Sequence, residues 1–308
     1  MNIVIADRID LRPEHKEELL KLGNTKIFDD TNNNPEEIIE RINEAEIITA
    51  NYINITPEII NSSPKLKYII CPSVGFNCVD VKYARNKGIS VLNCPTFNSQ
   101  AVAELAISLI ITLNRRIIEA NQSLKKGDYI PKEFTGSEIS GKFMVTVGFG
   151  NIGKKVVKIA DGLGMKTAYV NTKTSEQEFS GLVSKADILV LCLPLNDQTQ
   201  SIISKEKIDS MKSSAIIINV ARGLVIDQDA FYQALVENRI KGAGIDTFPD
   251  DSTITKATPE IQKFVILKNV VATPHIGFNT NEAFERLGVE LLENFKSCIN
   301  NNPINVVN

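Results

Sequence analysis

The sequence predicts an α/β protein built from two doubly wound parallel sheets. Three observations lead there. Short β-like runs alternate with helical patterns from end to end, the rhythm of strand–helix–strand units that place helices on both faces of a parallel sheet. A glycine pattern, "GFGNIG" at 148–153, lies between an apolar run and an amphipathic stretch. The chain has 308 residues, 43% of them hydrophobic, enough for about two domains with a core each.

In order along the chain, "NIVIA" (2–6) reads as the first strand, followed by a polar helix carrying Glu14 to Leu22. His15 lies on that charged helix and is expected at the surface. A helix rich in Glu and Ile leads into the strand "EIITA" (46–50). "LKYIICP" (66–72) and "ISVLNCP" (89–95) bracket a helix through Val81 to Asn86. The composition changes at Asn98. From there to about Ile118 the residues are apolar almost all round, which predicts a buried helix, with Glu104 inside it holding a buried structural partner. A polar link, Lys125 to Ser140, comes next. The second series then runs through "KFMVTVGFG" (142–150), "KTAYV" (166–170), "DILVLCLP" (187–194), "AIIINV" (215–220), "GAGID" (242–246) and "VVATP" (270–274). Six strands with crossover helices fit a dinucleotide-binding sheet. After His275 one more helix is expected, with Ala283, Leu287, Leu291 and Phe295 on one stripe and Asn279 with Glu282 as its capping box.

The bulk properties exclude several function classes. A net charge of −3 and a pI near 5.6 argue against a general nucleic-acid binder. The chain opens on an apolar strand, with no basic segment and no small-residue cleavage site of a secretory signal. The longest apolar stretch, "AVAELAISLIITL", is too short to span a bilayer and contains Glu104, so no membrane role is expected. The five cysteines (71, 78, 94, 192 and 298) show no C-x-x-C or metal spacing, and their number is odd. They read as reduced thiols of a cytoplasmic protein, and no metal is expected.

The cofactor signal is the stretch Gly148, Phe149, Gly150, Asn151, Ile152, Gly153. Alone, G-x-G-x-x-G marks any glycine turn. Here a strand (Val145–Val147) precedes it and a helix with Val156, Val157, Ile159 and Ala160 on its apolar side succeeds it, which is the context a dinucleotide needs. Gly148 permits the tight turn, Gly150 lets backbone N–H groups approach a pyrophosphate, and Gly153 allows close helix–strand packing. About 20 residues on, an NAD site expects a carboxylate for the ribose hydroxyls. This chain has Asn171, Thr172 and Lys173 there. Asn removes the repulsion of a 2′-phosphate and Lys173 adds a cation, a lean toward NADP(H) within NAD(P). The plainer reading is that Asn171 serves a ribose hydroxyl and Lys173 is simply exposed.

The motifs "GKFMVTVGFGNIG", "LCLPLNDQTQ", "INVARGLVID", "GAGIDTF" and "VVATPHIG" occur in one order and spacing. Together with "LKYIICPSVGFNCVD" and "GISVLNCPTFNSQAVAELAISLI", they make the sequence resemble the D-isomer-specific 2-hydroxyacid dehydrogenases along nearly its whole length. The resemblance implies NAD(P)-dependent interconversion of a 2-oxo acid and its D-2-hydroxy acid. It implies two Rossmann-like domains with the active site in the cleft between them. The discontinuous, flavodoxin-like substrate domain would be 1–98 with 277–308, and the NAD(P)-binding Rossmann domain 99–276. It also implies a homodimer formed through the cofactor domain.

The chemistry of the same residues agrees with that implication. Arg222 sits at a strand end in "NVARG", where its planar fork can hold a substrate carboxylate and polarise the ketone oxygen. His275, one of only two histidines, ends the last strand and can give a proton to the alkoxide that hydride addition creates. The family pairs this histidine with a Glu in the loop after "GAGID". Five positions beyond Asp246 this chain has Asp251, shorter by one C–C bond of about 1.5 Å, with Asp250 as the alternative partner. The resemblance further implies that Val74 and Gly75 receive the substrate carboxylate and that Asp246 lies near the nicotinamide carboxamide. It places Cys192, Leu193, Pro194, Thr199, Asn219, Val220, Ala221, His275 and Gly277 along the cofactor.

Phosphoglycerate-oxidising members commonly carry an Arg where this chain has Cys71, and a regulatory domain is not expected after Asn308. Both points favour a small unphosphorylated acid such as glyoxylate, hydroxypyruvate or pyruvate. The alternative is a non-catalytic NAD(H)-binding regulatory protein of the same fold, supported only by the shortened acid at 251.

Overall fold

A computed structural model describes residues 1–249, 251 and 255–308. The first stretch of chain forms β1 (Asn2–Ile5), α1 (Pro13–Leu20), β2 (Asn24–Ile27), α2 (Pro35–Ile42), β3 (Ile47–Thr49), α3 (Pro57–Asn61), β4 (Tyr68–Ile70), α4 (Val81–Asn86) and β5 (Ser90–Leu92). The second forms α5 (Ser99–Arg115), α6 (Ile117–Lys125), β6 (Phe143–Val147), α7 (Asn151–Gly162), β7 (Lys166–Val170), α8 (Glu176–Lys185), β8 (Ile188–Leu191), α9 (Lys205–Ser210), β9 (Ile216–Asn219), α10 (Gln228–Val236), β10 (Gly242–Ile245), α11 (Pro259–Val265) and β11 (Val270–Ala272). α12 (Asn281–Ile299) closes the chain. The chain divides into two compact units, 1–98 with 279–308, and 99–278.

The first unit holds a five-stranded parallel sheet in the order β2-β1-β3-β4-β5, the flavodoxin-like arrangement. Its inner strands are continuous apolar runs because both faces are covered. β2 is the one strand that the sequence pattern did not reveal. It is an edge strand, "NTKI", whose residues alternate between exposed and half-buried, so it lacks an apolar run. Helix starts are written in the sequence. Asn34, Thr56, Asp80 and Thr280 each accept a backbone N–H of the first turn, and Pro35 and Pro57 stand at the first helical position. The cap of α12 is thus Thr280, which accepts from the Ala283 N–H at 3.1 Å, and not the expected Asn279. Ala283, Leu287, Leu291 and Phe295 do form the buried stripe of α12.

His15 corrects a second expectation. It is buried, and α12 is what covers it: its Nε2 lies 3.4 Å from Glu285, and its ring presses on Gly288. A contact between opposite ends of the chain leaves no trace in the local pattern of α1.

The second unit holds a six-stranded parallel sheet in the order β11-β10-β9-β8-β6-β7. α5 packs on this sheet and on α7 through Val102, Ala106, Leu109 and Ile110. Glu104 is exposed, bonded to Gln100 one turn earlier at 2.8 Å, so its expected buried partner is absent. Glu104 and Ser108 form a narrow polar face on a helix expected to be apolar all round. That helix stops at Arg115, because Arg116 takes a left-handed backbone (φ +51°) and turns the chain into α6.

Candidate active site

Strand order reverses at β6, with β7 on one side and β8 on the other, so a crevice opens at the carboxyl ends of β6 and β8. Gly148 makes the turn out of β6 with φ +96°, and a Cβ there would stand 2.4 Å from the Cys192 carbonyl oxygen. No other residue fits so close an approach. Gly153, in the first turn of α7, is equally constrained: a Cβ would lie 2.1 Å from the Gly148 oxygen. Gly150 is the opposite case. A Cβ there would meet nothing within 4 Å, so open space stands before the first N–H groups of α7. This is the cradle a pyrophosphate fills, and the residues present fit a dinucleotide.

Around that cradle, Thr199 fixes the 194–199 turn by donating to the Pro194 carbonyl (2.6 Å) and accepting from the Asn196 N–H (2.8 Å). Phe149 stacks flat on Tyr169 of β7, ring centroids 3.7 Å apart. Burial pushes the Cys192 thiol up to about 12, so it stays protonated and serves as wall. At the end of β7, Asn171, Thr172 and Lys173 are exposed. The Asn171 side-chain oxygen accepts from the Lys173 N–H (2.9 Å), and the Asn171 N–H donates to Thr174 (3.0 Å). The Asn171 side-chain oxygen is thus engaged inside the turn, and the Lys173 side chain is exposed beside it in sequence.

Arg222 leaves β9 through a turn tied at both ends by Asn219, whose side chain accepts from the Ala221 N–H and donates to the Arg222 carbonyl, both at 3.0 Å. At Gly223 a Cβ would lie 2.2 Å from the Pro249 nitrogen, so this turn abuts the segment leading to Asp251. Burial lowers the Arg222 pKa from its ordinary value, and the Asp251 charge opposes that shift. Its guanidinium donates to the Ala221 carbonyl at 2.8 Å.

His275 stands in a left-handed backbone conformation (φ +52°), a cost that a non-glycine residue bears only where its surroundings enforce it. Asp246 does the enforcing. Its carboxylate accepts from Thr273 Oγ1 (2.6 Å) and from the N–H groups of Ile276 and Gly277 (both 2.9 Å), and its carbonyl accepts from the His275 N–H (2.9 Å). The imidazole so placed has Nδ1 3.2 Å from Asp251 Oδ1, while Asp251 Oδ2 accepts from the Phe248 N–H at 2.8 Å. The shorter acid therefore reaches its histidine. Asp250 lies outside the described residues.

Arg222, Asp251 and His275 thus gather in the second unit, beside Asn219, Ala221, Asp246 and Gly277. Val74 and Gly75 belong to the first unit, in the loop after β4, where Asn93 Nδ2 donates to the Val74 carbonyl (2.8 Å) and Ser73 Oγ to the Gly75 carbonyl (2.6 Å). Two contributors leave little mark on the sequence. The Phe248 amide is backbone and has no residue signature. Thr273 stands in "ATPH", where its place beside the histidine was the available signal.

The family model for "D-isomer specific 2-hydroxyacid dehydrogenase, NAD binding domain" matches residues 107–277. Among similar proteins is a hydroxypyruvate reductase of Thermotoga maritima, 38% identical over 267 residues, covering 84% of this chain and 86% of that one. A glyoxylate reductase of Thermococcus litoralis is 34% identical over 290 residues, covering 88% and 86%. Among solved structures, an acyclic imino acid reductase in complex with NADPH and D-Arg superimposes with a TM-score of 0.91 at 33% identity, covering 100% of both chains. With its motifs in their expected places on a doubly wound sheet, and with such relatives along most of its length, the chain belongs to the D-isomer specific 2-hydroxyacid dehydrogenase family.

Proposed function

We propose that the protein reduces a short unphosphorylated 2-oxo acid, of the glyoxylate, hydroxypyruvate or pyruvate type, with NADP(H) as its preferred cofactor. The class of reaction is the family's: NAD(P)-dependent interconversion of a 2-oxo acid and a D-2-hydroxy acid. The observation that carries the reading is the 3.2 Å pairing of His275 with Asp251, in the electrostatic neighbourhood of a desolvated Arg222.

A bound NAD(P)H supplies a hydride to the carbonyl carbon. Arg222 holds the carboxylate and polarises the ketone oxygen with its fork of N–H groups. His275 gives its Nε2 proton to that oxygen as charge develops. Asp251 takes the Nδ1 side, which fixes the ring and balances the imidazolium. The Val74 and Gly75 amides are assigned to the substrate carboxylate.

Three further observations support the finer choices. Cys71, fully buried, stands where phosphoglycerate-oxidising members commonly carry an Arg, and it provides no cation for a phosphate. Two similar proteins are named for hydroxypyruvate and glyoxylate. The donors at 171–173 suit a 2′-phosphate, and a similar structure was solved with NADPH. We also assign a homodimer, which exposed apolar side chains along 117–130 support, and a cytoplasmic location, which five free thiols support. No helix among the described residues is long and apolar enough to cross a membrane.

A panel of glyoxylate, hydroxypyruvate, pyruvate and longer 2-oxo acids, run with NADPH and NADH in parallel, tests this. Turnover of a short acid with NADPH preferred is expected, and a clear NADH preference would overturn the cofactor choice. The likeness to an imino acid reductase favours one second reading, reduction of C=N in place of C=O. Turnover that appears only when an amine accompanies the oxo acid would move the assignment there. Cofactor binding with no turnover of either would support the non-catalytic alternative.

A further inference from the structure

The loop assigned to the substrate carboxylate is bracketed by two cysteines. Cys71 comes directly after β4 and is fully buried, while Cys78, at the far end of the loop, is half-buried. Both converge on Ala50. Thr49 pairs with Ile70 in the β3–β4 register, and the Ala50 N–H donates to the Ile70 carbonyl at 3.1 Å, which sets Ala50 beside Cys71. Cys78 Sγ, in turn, donates to the Ala50 carbonyl at 3.6 Å. The backbones on both sides are anchored. The Cys71 N–H donates to the Leu92 carbonyl (2.8 Å), the Cys78 carbonyl accepts from the Ile55 N–H (2.7 Å), and Val79 bridges Ile55. Cys71 lies in an apolar cluster against which Cys78 packs, and each thiol shifts the ionisation of the other. The Cys78 neighbour and burial raise the Cys71 pKa, while the Cys71 neighbour lowers that of Cys78 against burial and the Asp7 carboxylate. Cys78, the less buried of the two residues, is also the one whose thiol its neighbour eases toward ionisation.

We propose that Cys71 and Cys78 form a reversible redox pair whose disulfide restrains the 72–77 loop. A hydroperoxide is the oxidant. The Cys78 thiolate attacks its terminal oxygen, an S–O bond forms, the O–O bond breaks, and the departing oxygen leaves as an alcohol or water once protonated. Cys78 is then a sulfenic acid. The Cys71 sulfur attacks the Cys78 sulfur, the S–S bond forms, the S–O bond breaks, and hydroxide leaves with the Cys71 proton as water. Two thiols have lost two electrons and two protons, and the peroxide has been reduced. A small dithiol reverses the change by exchange.

Bonding contracts the sulfur separation to about 2.05 Å and draws Cys78 off the Ala50 carbonyl. The base of the loop moves with it. Asn93 and Ser73, which hold the Val74 and Gly75 carbonyls, then hold amides in altered positions. The effect on catalysis rests on the proposed function of those amides. The disulfide itself does not.

The full-length protein is treated with hydrogen peroxide, unfolded in an alkylating reagent and digested. The expected result is loss of two of the five alkylatable thiols, a 71–78 cross-linked peptide, and recovery with dithiothreitol. A Cys78→Ser chain should form no such peptide. Cross-links joining other cysteines, or five thiols still alkylatable, would overturn the pair. Oxidised protein should show slower amide exchange across 72–77 and a KM for the 2-oxo acid raised by about fivefold or more, with cofactor affinity unchanged. A 71–78 disulfide that leaves loop exchange unchanged would overturn the restraint. A slowed loop in a protein that turns over no oxo acid would uphold the redox pair and count against the proposed substrate.

Discussion

At the scale of single residues, the proposed chemistry rests on three side chains and on what fixes them. Arg222 and His275 were legible because each ends a strand inside a recognisable motif, "NVARG" and "TPHIG". Asp251 was legible only by counting from Asp246, and its reach was not, because reach depends on where the fold sets its carboxylate. The Phe248 N–H settles it by turning the carboxylate so that its second oxygen meets the imidazole. Replacing Asp251 by Asn removes the charge that orients and balances the imidazolium while keeping nearly the same shape. The expected outcome is a fall in kcat of roughly 10²–10⁴-fold, the range of general acid–base assistance, with cofactor affinity unchanged. Steady-state kinetics with cofactor titration checks this, and an unchanged kcat would remove Asp251 from the mechanism.

Asp7 presents a different residue-scale effect, in stability. It is fully buried and accepts from the N–H groups of Asn51, Tyr52 and Ile53, yet burial outweighs those bonds and raises its pKa from 3.8 to about 6. A raised carboxyl pKa means the folded state binds the proton more tightly than the unfolded one. Its contribution is therefore fully present below pH 3.8 and is lost as pH rises through about 6. Between acid and neutral pH the stability linked to this group falls by about 3 kcal/mol. Asp7→Asn keeps an acceptor oxygen without the charge. Thermal melts between pH 4 and 7 should show the variant gaining on the native protein as pH rises, and parallel curves would refute the shift.

At the scale of elements, although the one cap read from the sequence, Asn279, gave way to Thr280, helix starts were legible, because capping residues and first-turn prolines act within a few positions. The β2 edge strand and the α1–α12 contact were not. An edge strand needs only one satisfied side, and a helix pair brought together from opposite ends of the chain leaves no local pattern. That helix contact is tight enough to test. At Gly288 a Cβ would stand 2.0 Å from His15 Nδ1, inside any allowed contact. Gly288→Ala gains helix propensity but forces the imidazole or α12 to move, a cost of roughly 1–3 kcal/mol from overpacking. Adding His15→Ala removes the obstacle. Denaturant melts of the two single variants and the double should therefore show a favourable coupling of about 0.5 kcal/mol or more, and strict additivity would mean that the contact is relaxed.

At the scale of the whole molecule, the two sheets share one plan, 2-1-3-4-5, which the second extends by one strand. The parallel, doubly wound character of both sheets was legible, though not their strand order, because strands buried on both faces are apolar almost without interruption and are spaced by crossover helices. The surface was harder to read. The apolar pattern that buries α5 runs on past Arg115, but the left-handed Arg116 re-aims the chain and leaves the next apolar side chains exposed. Leu124 is 57% and Tyr129 84% accessible, with Ile117, Ile118 and Ile130 also open. A run of large apolar side chains facing water is what a partner covers. The proposed partner is a second copy of the chain, and a closed twofold pair would place the same run on both sides of its interface. Light scattering on the eluted protein should give a dimer mass for the native chain and a monomer mass for Leu124→Glu combined with Tyr129→Ser. Cofactor binding by each chain should persist, since the cradle at Gly148–Gly153 is built within one unit. A native protein that elutes as a monomer across concentrations would refute the dimer. A double variant that stays dimeric would show that the interface lies elsewhere.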